Sequence, residues 1–379
     1  MFEKARDEFQ LSPDSVYLNS AAVGPLPKRT LKALNSYYQM ASETPWKTDT
    51  LMWEAFEQVR NLGARVTGSD LENITYAYNT GFGLNIAAFG LPLEKGDEVV
   101  LTEINYPANV YPWLALEERG VKVRFAKSCD NKFSFESIRE VVTQNTKVIA
   151  VSFVQFHDGF KLPLSKISKL AESCGAYFVV DGIQGCGAET ISFRDLKIDI
   201  LACGAQKWLL GPLGIGIVVI SERAREDMKP VARGWLSVDW PDYFNLFDFR
   251  RKLLPDARRF STGTAPAAHL VALSNSLELI CDLGVENIQR HTHILLDKLI
   301  GFISNDKRYQ IVSSLDEDER SSIFCFTCSD SEKLSMFLSE GKIICALRED
   351  SIRISAHLFN NESDIDRLIN ALDRYAPEA

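Results

Sequence analysis

The 379-residue chain is 46% hydrophobic and 25% charged, an ordinary globular balance, and it is longer than one compact core usually fills. Lys+Arg 42 against Asp+Glu 51 leaves a net charge of −9, which argues against nucleic acid or an anionic membrane as the main partner. The opening "MFEKARDEFQLSPDS" lacks an apolar signal core, and no stretch reaches the ~20 apolar residues of a membrane span, so the expected location is a reduced cytoplasm.

In chain order, "KRTLKALNSYYQMAS" and "TLMWEAFEQVRNLGARVTG" show helical periodicity, the second stopped by Gly68. Short β-rich runs then alternate with helical stretches, at 97–103, 121–126, 147–156, 176–182, 199–205 and 214–221. That alternation predicts an α/β fold with a mainly parallel sheet covered on both faces. Residues 233–266 are irregular and rich in aromatic and basic side chains, with "GWLSVDWPDYFNLFDF" as a candidate substrate entrance, interface or core segment. A helical stretch over 267–303 follows, then β-rich runs near 308–314, 321–328, 342–348 and 351–357 and the closing helix "ESDIDRLINALDRYA". The expected organisation is an N-terminal segment 1–14, a large α/β domain 15–265 and a small α+β domain 266–379.

Asp181 closes the buried strand "AYFVVDG", at the edge where open α/β sheets bind ligands. Alone it would read as a loop aspartate or helix cap. Lys207 follows 26 residues later, after the next strand, in "CGAQKWLLGPLGIG". A lysine in an apolar site has a depressed pKa, and its neutral amine can form a Schiff base. The nearby carboxylate suits the ring nitrogen of pyridoxal phosphate. "YNTGFGLNIAAFG" adds a small-residue turn opening a helix at Thr80 and Gly81, an anion-binding geometry. "GPLGIG" lacks the order of a nucleotide phosphate loop. The eight cysteines are scattered, and the CxxC pair Cys325 and Cys328 sits in a strand-like run without a second ligand pair, so no metal is expected.

These stretches resemble the class V aminotransferase family of fold-type I pyridoxal-phosphate enzymes, which includes cysteine desulfurases, selenocysteine lyases, kynureninase and isopenicillin N epimerase. The likeness runs from "YLNSAAVGPLP" to "IRISAHLFNNESDIDRL". It implies that Lys207 is the Schiff-base lysine, that Asp181 faces the ring nitrogen and that Gln184 bonds the phenolic oxygen. Thr80, Gly81 and Gln206 would hold the phosphate, and Tyr106 would stack on the ring where desulfurases carry histidine. "RRFSTGTAPAAHL" is similar to the segment that reaches the neighbouring subunit's phosphate, which implies a homodimer with Thr264 acting in trans. Arg353 in "SIRISAHLFNN" matches the clamp on the substrate α-carboxylate, with Gln155 and His157 near the substrate. His269, His291 and His293 have no expected catalytic part.

One departure stands out. Persulfide-forming desulfurases carry a nucleophilic cysteine on a loop shortly before that arginine, whereas "GKIICALREDSIRISAH" runs almost directly from strand to strand. Cys345 lies eight positions before Arg353 in an apolar run, a place for core packing. The expectation is an aminotransferase or a selenocysteine- or cysteine-lyase-like enzyme acting on a small amino acid without a persulfide cysteine. An epimerase and a non-catalytic cofactor-binding protein are the alternatives.

Overall fold

The computed structural model describes residues 1–128, 132–240 and 245–376. Residues 241–244 of the aromatic segment and Cys129 lie outside them.

Seven strands form the large sheet: β1 (Ile74–Ala77), β2 (Glu98–Thr102), β3 (Lys122–Ala126), β4 (Thr146–Ser152), β5 (Tyr177–Asp181), β6 (Ile200–Gly204) and β7 (Gly216–Ile220). Their order is β1-β7-β6-β5-β4-β2-β3. Only β7 runs against the rest, pairing antiparallel with both β1 and β6. Every residue of β5, β6 and β7 is buried, as expected for strands covered on both faces. Each fully buried aliphatic side chain there contributes about 1.5–3 kcal/mol. The expected mainly parallel α/β sheet is present.

Helices α1 (Lys28–Glu43) and α2 (Thr48–Thr67) precede the sheet, and α2 ends at Gly68, whose φ of 64° places it in the left-handed region that closes helices. Helix α3 (Thr80–Gly90) crosses close to β6 because Gly83 has no side chain: a Cβ there would lie 2.7 Å from Ala202 Cβ. This close approach sets the start of α3 against the end of β6. Helix α4 (Leu164–Cys174) precedes β5.

After the irregular segment, α5 (Ala267–Leu283) packs against α1 and α2. Helix α6 (Val285–Ser304) leads to a four-stranded antiparallel sheet of β8 (Tyr309–Ile311), β9 (Ile323–Cys328), β10 (Ala346–Arg348) and β11 (Ser351–Ser355), ordered β10-β11-β9-β8. Among the described residues no single helix is long and apolar enough to cross a membrane; the bent pair α5 and α6 passes that test only jointly.

The expected boundary at residue 15 puts Val16–Tyr17 in the large domain. They pair in parallel with Ile343–Ile344, and Val16 and Leu18 lie in the core formed by the small sheet and its helices. A two-residue strand carries no period, so its partner is invisible in sequence.

Candidate active site

Three chain segments meet at the carboxyl ends of β5 and β6. Asp181 ends β5 and is 2% exposed. Its Oδ1 accepts from the Ile183 N–H at 3.0 Å, while Oδ2 is buried without a hydrogen-bond partner. Burial pushes its pKa up from 3.8 to about 6, against the opposing pull of the Ile183 N–H and the Lys207 charge. Lys207 stands in the turn after β6. Burial takes its amine down to about 8, partly offset by Asp181 and reinforced by Arg353 and Arg348.

The lysine turn is held from two sides. Gly24 donates its N–H to Gln206 O at 2.7 Å, and a Cβ at Gly24 would lie 2.2 Å from Lys207 O, so only glycine lets these backbones touch. Gln184 spans the same region: its Nε2 donates to Ala21 O at 3.1 Å, and its Oε1 accepts from Trp208 Nε1 at 3.0 Å. One amide proton of Gln184 is left for a ligand. Behind the lysine, the His357 ring meets Trp208 O at 2.9 Å, and burial drives its pKa down to about 4.

At the start of α3, Asn79 accepts from the Phe82 N–H at 2.8 Å as a helix cap. Thr80 Oγ1 accepts from the Gly204 N–H at 2.9 Å, tying the helix start to the end of β6. The helix dipole and the free amides at this end favour an anion. Tyr106 is 46% exposed; its ring stands edge-on to Phe156 with centroids 5.2 Å apart, and Lys207 Nζ lies 5.7 Å from its centroid. Opposite, Arg353 on β11 is 2% exposed. One Nη donates to Phe156 O at 2.6 Å, and its Nε is buried and unpartnered. Burial takes this guanidinium down to about 10.

These side chains enclose one cavity of about 470 Å³. Lys207, Asp181, Gln184, Thr80, Gly81, Tyr106, Gln206 and Arg353 all line it, as does Arg348, which sequence reasoning did not single out. Strand parity could have found it. Ala346 pairs with Arg353 across β10 and β11, so Arg348, two residues along, shares the face of Arg353.

Gln155 and Thr264 do not line the cavity. Gln155 is fully buried, with neither end of its amide hydrogen-bonded. Thr264 is exposed. His157 sits beside buried Asp158, 3.6 Å from its carboxylate, and also stays off the wall. A second cavity of about 480 Å³ opens at the other end of the strands, but its cations Arg194, Lys197 and Arg223 are each paired with Asp70, Glu172 and Asp199.

The family model for aminotransferase class-V matches residues 16–368. The chain belongs to the class V aminotransferase family. A probable cysteine desulfurase of Methanothermobacter thermautotrophicus is 26% identical over 99% of this chain and 98% of its own. An uncharacterized aminotransferase of Schizosaccharomyces pombe is 25% identical over 98% and 95%. Among solved structures, the Escherichia coli cysteine desulfurase CsdA superposes with a TM-score of 0.86 at 22% identity, covering 99% of this chain and 98% of that one. The cystine C-S lyase C-DES superposes at 0.88 and 21% identity, covering 96% and 99%.

The class V family works with pyridoxal 5′-phosphate, and this member is a pyridoxal-phosphate-dependent enzyme. The site fits the group. The orphaned Oδ2 of Asp181 has the character of an acceptor for a ring N–H, the start of α3 suits a phosphate, and Lys207 offers an amine of lowered basicity.

Proposed function

We propose that this enzyme acts on a small α-amino acid as an aminotransferase or a lyase of the cysteine or selenocysteine type, without relaying sulfur through a cysteine of its own. The observation that carries the reading is the cavity lined by Lys207, Asp181 and Arg353, in which Asp181 and Arg353 each keep a buried polar atom without a hydrogen-bond partner. When bound, the cofactor supplies an electron sink for the bond broken at the substrate Cα. Lys207 attaches it, and then, as a free amine, takes and returns the proton at Cα. Asp181 keeps the ring nitrogen protonated. Gln184 and Tyr106 fix the ring, Thr80, Gly81 and Gln206 hold the phosphate, and Arg353 holds the α-carboxylate.

The likeness of "RRFSTGTAPAAHL" to the segment that reaches a neighbouring subunit's phosphate supports a homodimer as the active unit, with Thr264 exposed and off the cavity wall of its own chain. Gln155, expected near the substrate, lies off the cavity wall with both ends of its amide unpartnered.

Product analysis tests the reading. Turnover that requires a second keto acid as amino acceptor identifies an aminotransferase. Release of the side-chain sulfur or selenium without a keto-acid acceptor, leaving alanine or else ammonia and a keto acid, identifies a lyase. Inversion at Cα with neither product would mean an epimerase, and absence of any turnover would leave the non-catalytic reading.

Arg353→Gln is expected to lower kcat/KM by about 10²-fold, the loss of a charge-assisted pair, chiefly through KM. Arg353→Lys should recover only part of it, because an ammonium lacks the planar fork. Steady-state kinetics on one amino acid checks both variants.

The rival reading, a persulfide on Cys345, meets three observations. Cys345 does not line the cavity, burial pushes its thiol up to about 12, and only Glu349 and Asp350 separate β10 from β11. Cys345→Ser is expected to leave sulfur release from cysteine within twofold of wild type. A loss of tenfold or more would reinstate the persulfide.

A further inference from the structure

Three cations line the cavity, Lys207, Arg348 and Arg353, against one carboxylate, Asp181. The proposed amino-acid site employs two of the three cations, since Lys207 attaches the cofactor and Arg353 takes the α-carboxylate. Arg348 is left over. Among the described residues its only hydrogen bond is from Nη1 to the adjacent Leu347 O at 2.8 Å, and no ion pair joins it to a carboxylate.

Its position is fixed by the chain. Arg348 is the last residue of β10, and the turn Glu349–Asp350 has φ of 43° and 63°. Two successive left-handed residues make the tight turn whose twist matches a two-residue hairpin, usually built from Asn-Gly. Here neither residue is glycine, and Thr327 Oγ1 on β9 donates to Asp350 O at 3.0 Å to hold the turn in place. Arg348 is thus presented on the same face as Arg353, as its diagonal neighbour across the pair, with Cβ atoms about 7–8 Å apart. That spacing lets two guanidiniums reach one ligand without having to share one carboxylate.

We infer that Arg348 is a specificity-determining residue that reads a second anionic group on the substrate side chain, so that the preferred substrate is an acidic amino acid of the aspartate or sulfinate class. The inference rests on the reading of the cavity as an amino-acid site with Arg353 at the α-carboxylate. An arginine fork matches a carboxylate or sulfinate with two parallel donors, and a neutral side chain would leave it empty.

The test pairs ligands that differ in one charge. On the cofactor-loaded protein, succinate should bind at least about tenfold more tightly than butyrate by calorimetry, the scale of one charge-assisted contact. Arg348→Gln should erase that difference while leaving butyrate within twofold. Arg348 is exposed, so the variant is expected to fold, and a thermal melt confirms it. In turnover, the ratio of kcat/KM for aspartate over asparagine, or for cysteine sulfinate over cysteine, should fall about tenfold or more in the variant.

Equal binding of succinate and butyrate to the wild type overturns the inference. So does an equal loss of both in Arg348→Gln, which would make Arg348 a second clamp on the α-carboxylate. Failure of the underlying function looks different: succinate would still be preferred through Arg348, but no amino acid would be turned over.

Discussion

Lys207→Ala is expected to lower kcat/KM by at least about 10³-fold and to remove the visible absorption that arises when the protein and pyridoxal phosphate are joined. The size follows from two roles in one amine, attachment of the cofactor and proton transfer at Cα, both lost together. The environment is suited to them: burial lowers the amine to about 8, close to the working pH of most enzymes, while the nearby Asp181 carboxylate keeps it from falling further. Absorbance titration with the cofactor, followed by steady-state kinetics, checks both. A variant with wild-type absorption and turnover would mean that the lysine merely packs the turn.

Asp181→Asn is the second large effect, and it splits activity from stability. Activity should drop about 10²-fold or more, because a neutral amide cannot hold a proton on the ring nitrogen. Stability of the cofactor-free protein should rise. In the folded chain the Asp181 pKa is raised from 3.8 to about 6. Between those values the folded protein keeps a proton that the unfolded chain has released. Stability therefore falls as pH rises from about 4 to about 6, and the deficit persists above it. Such a displacement corresponds to about 3 kcal/mol at pH 7, an upper bound on what the asparagine variant recovers. Urea melts of the two cofactor-free proteins at pH 4 and pH 7 read it directly. The gap should be small at pH 4 and open at pH 7; a pH-independent gap would show that the carboxylate is not the cause.

Much of this site was legible because its chemistry lies at strand ends. The apolar runs at 176–182 and 199–205 predicted β5 and β6 within a residue at each end, and Asp181 and Lys207 follow directly from those ends. Gly68 marked the end of α2 for the same local reason, a backbone conformation that favours glycine. What sequence could not show was long-range pairing. Strand β1 is four residues between a helix and the cap of α3, too short for a period to emerge. The reversal of β7 depends on a tight return through residues 205–215, and apolar content is the same in either direction. Arg348 was passed over because an arginine before a turn looks solvated until the register of β10 and β11 is known. Thr264 and Gln155 were placed by likeness alone, and neither reaches the cavity of its own chain.

The stretch from Val16 to Gly24 connects features that the two sheets divide between them. It starts as a partner of Ile343–Ile344 beside the small sheet, and Ser355 at the end of β11 donates to Leu18 O at 2.8 Å. The Ala21 N–H then donates to Ser355 Oγ at 3.0 Å, Ala21 O receives Gln184, and Gly24 rests on the carbonyl of Lys207. Nine residues thus work as a tie rod, bolting the arginine-bearing strand to the wall around the lysine. The spacing between the strand that carries Arg353 and the turn that carries Lys207 is set by this strap. Removing the strap would take Val16 and Leu18 out of the small sheet's core together with the contacts to Ser355, Gln184 and Lys207.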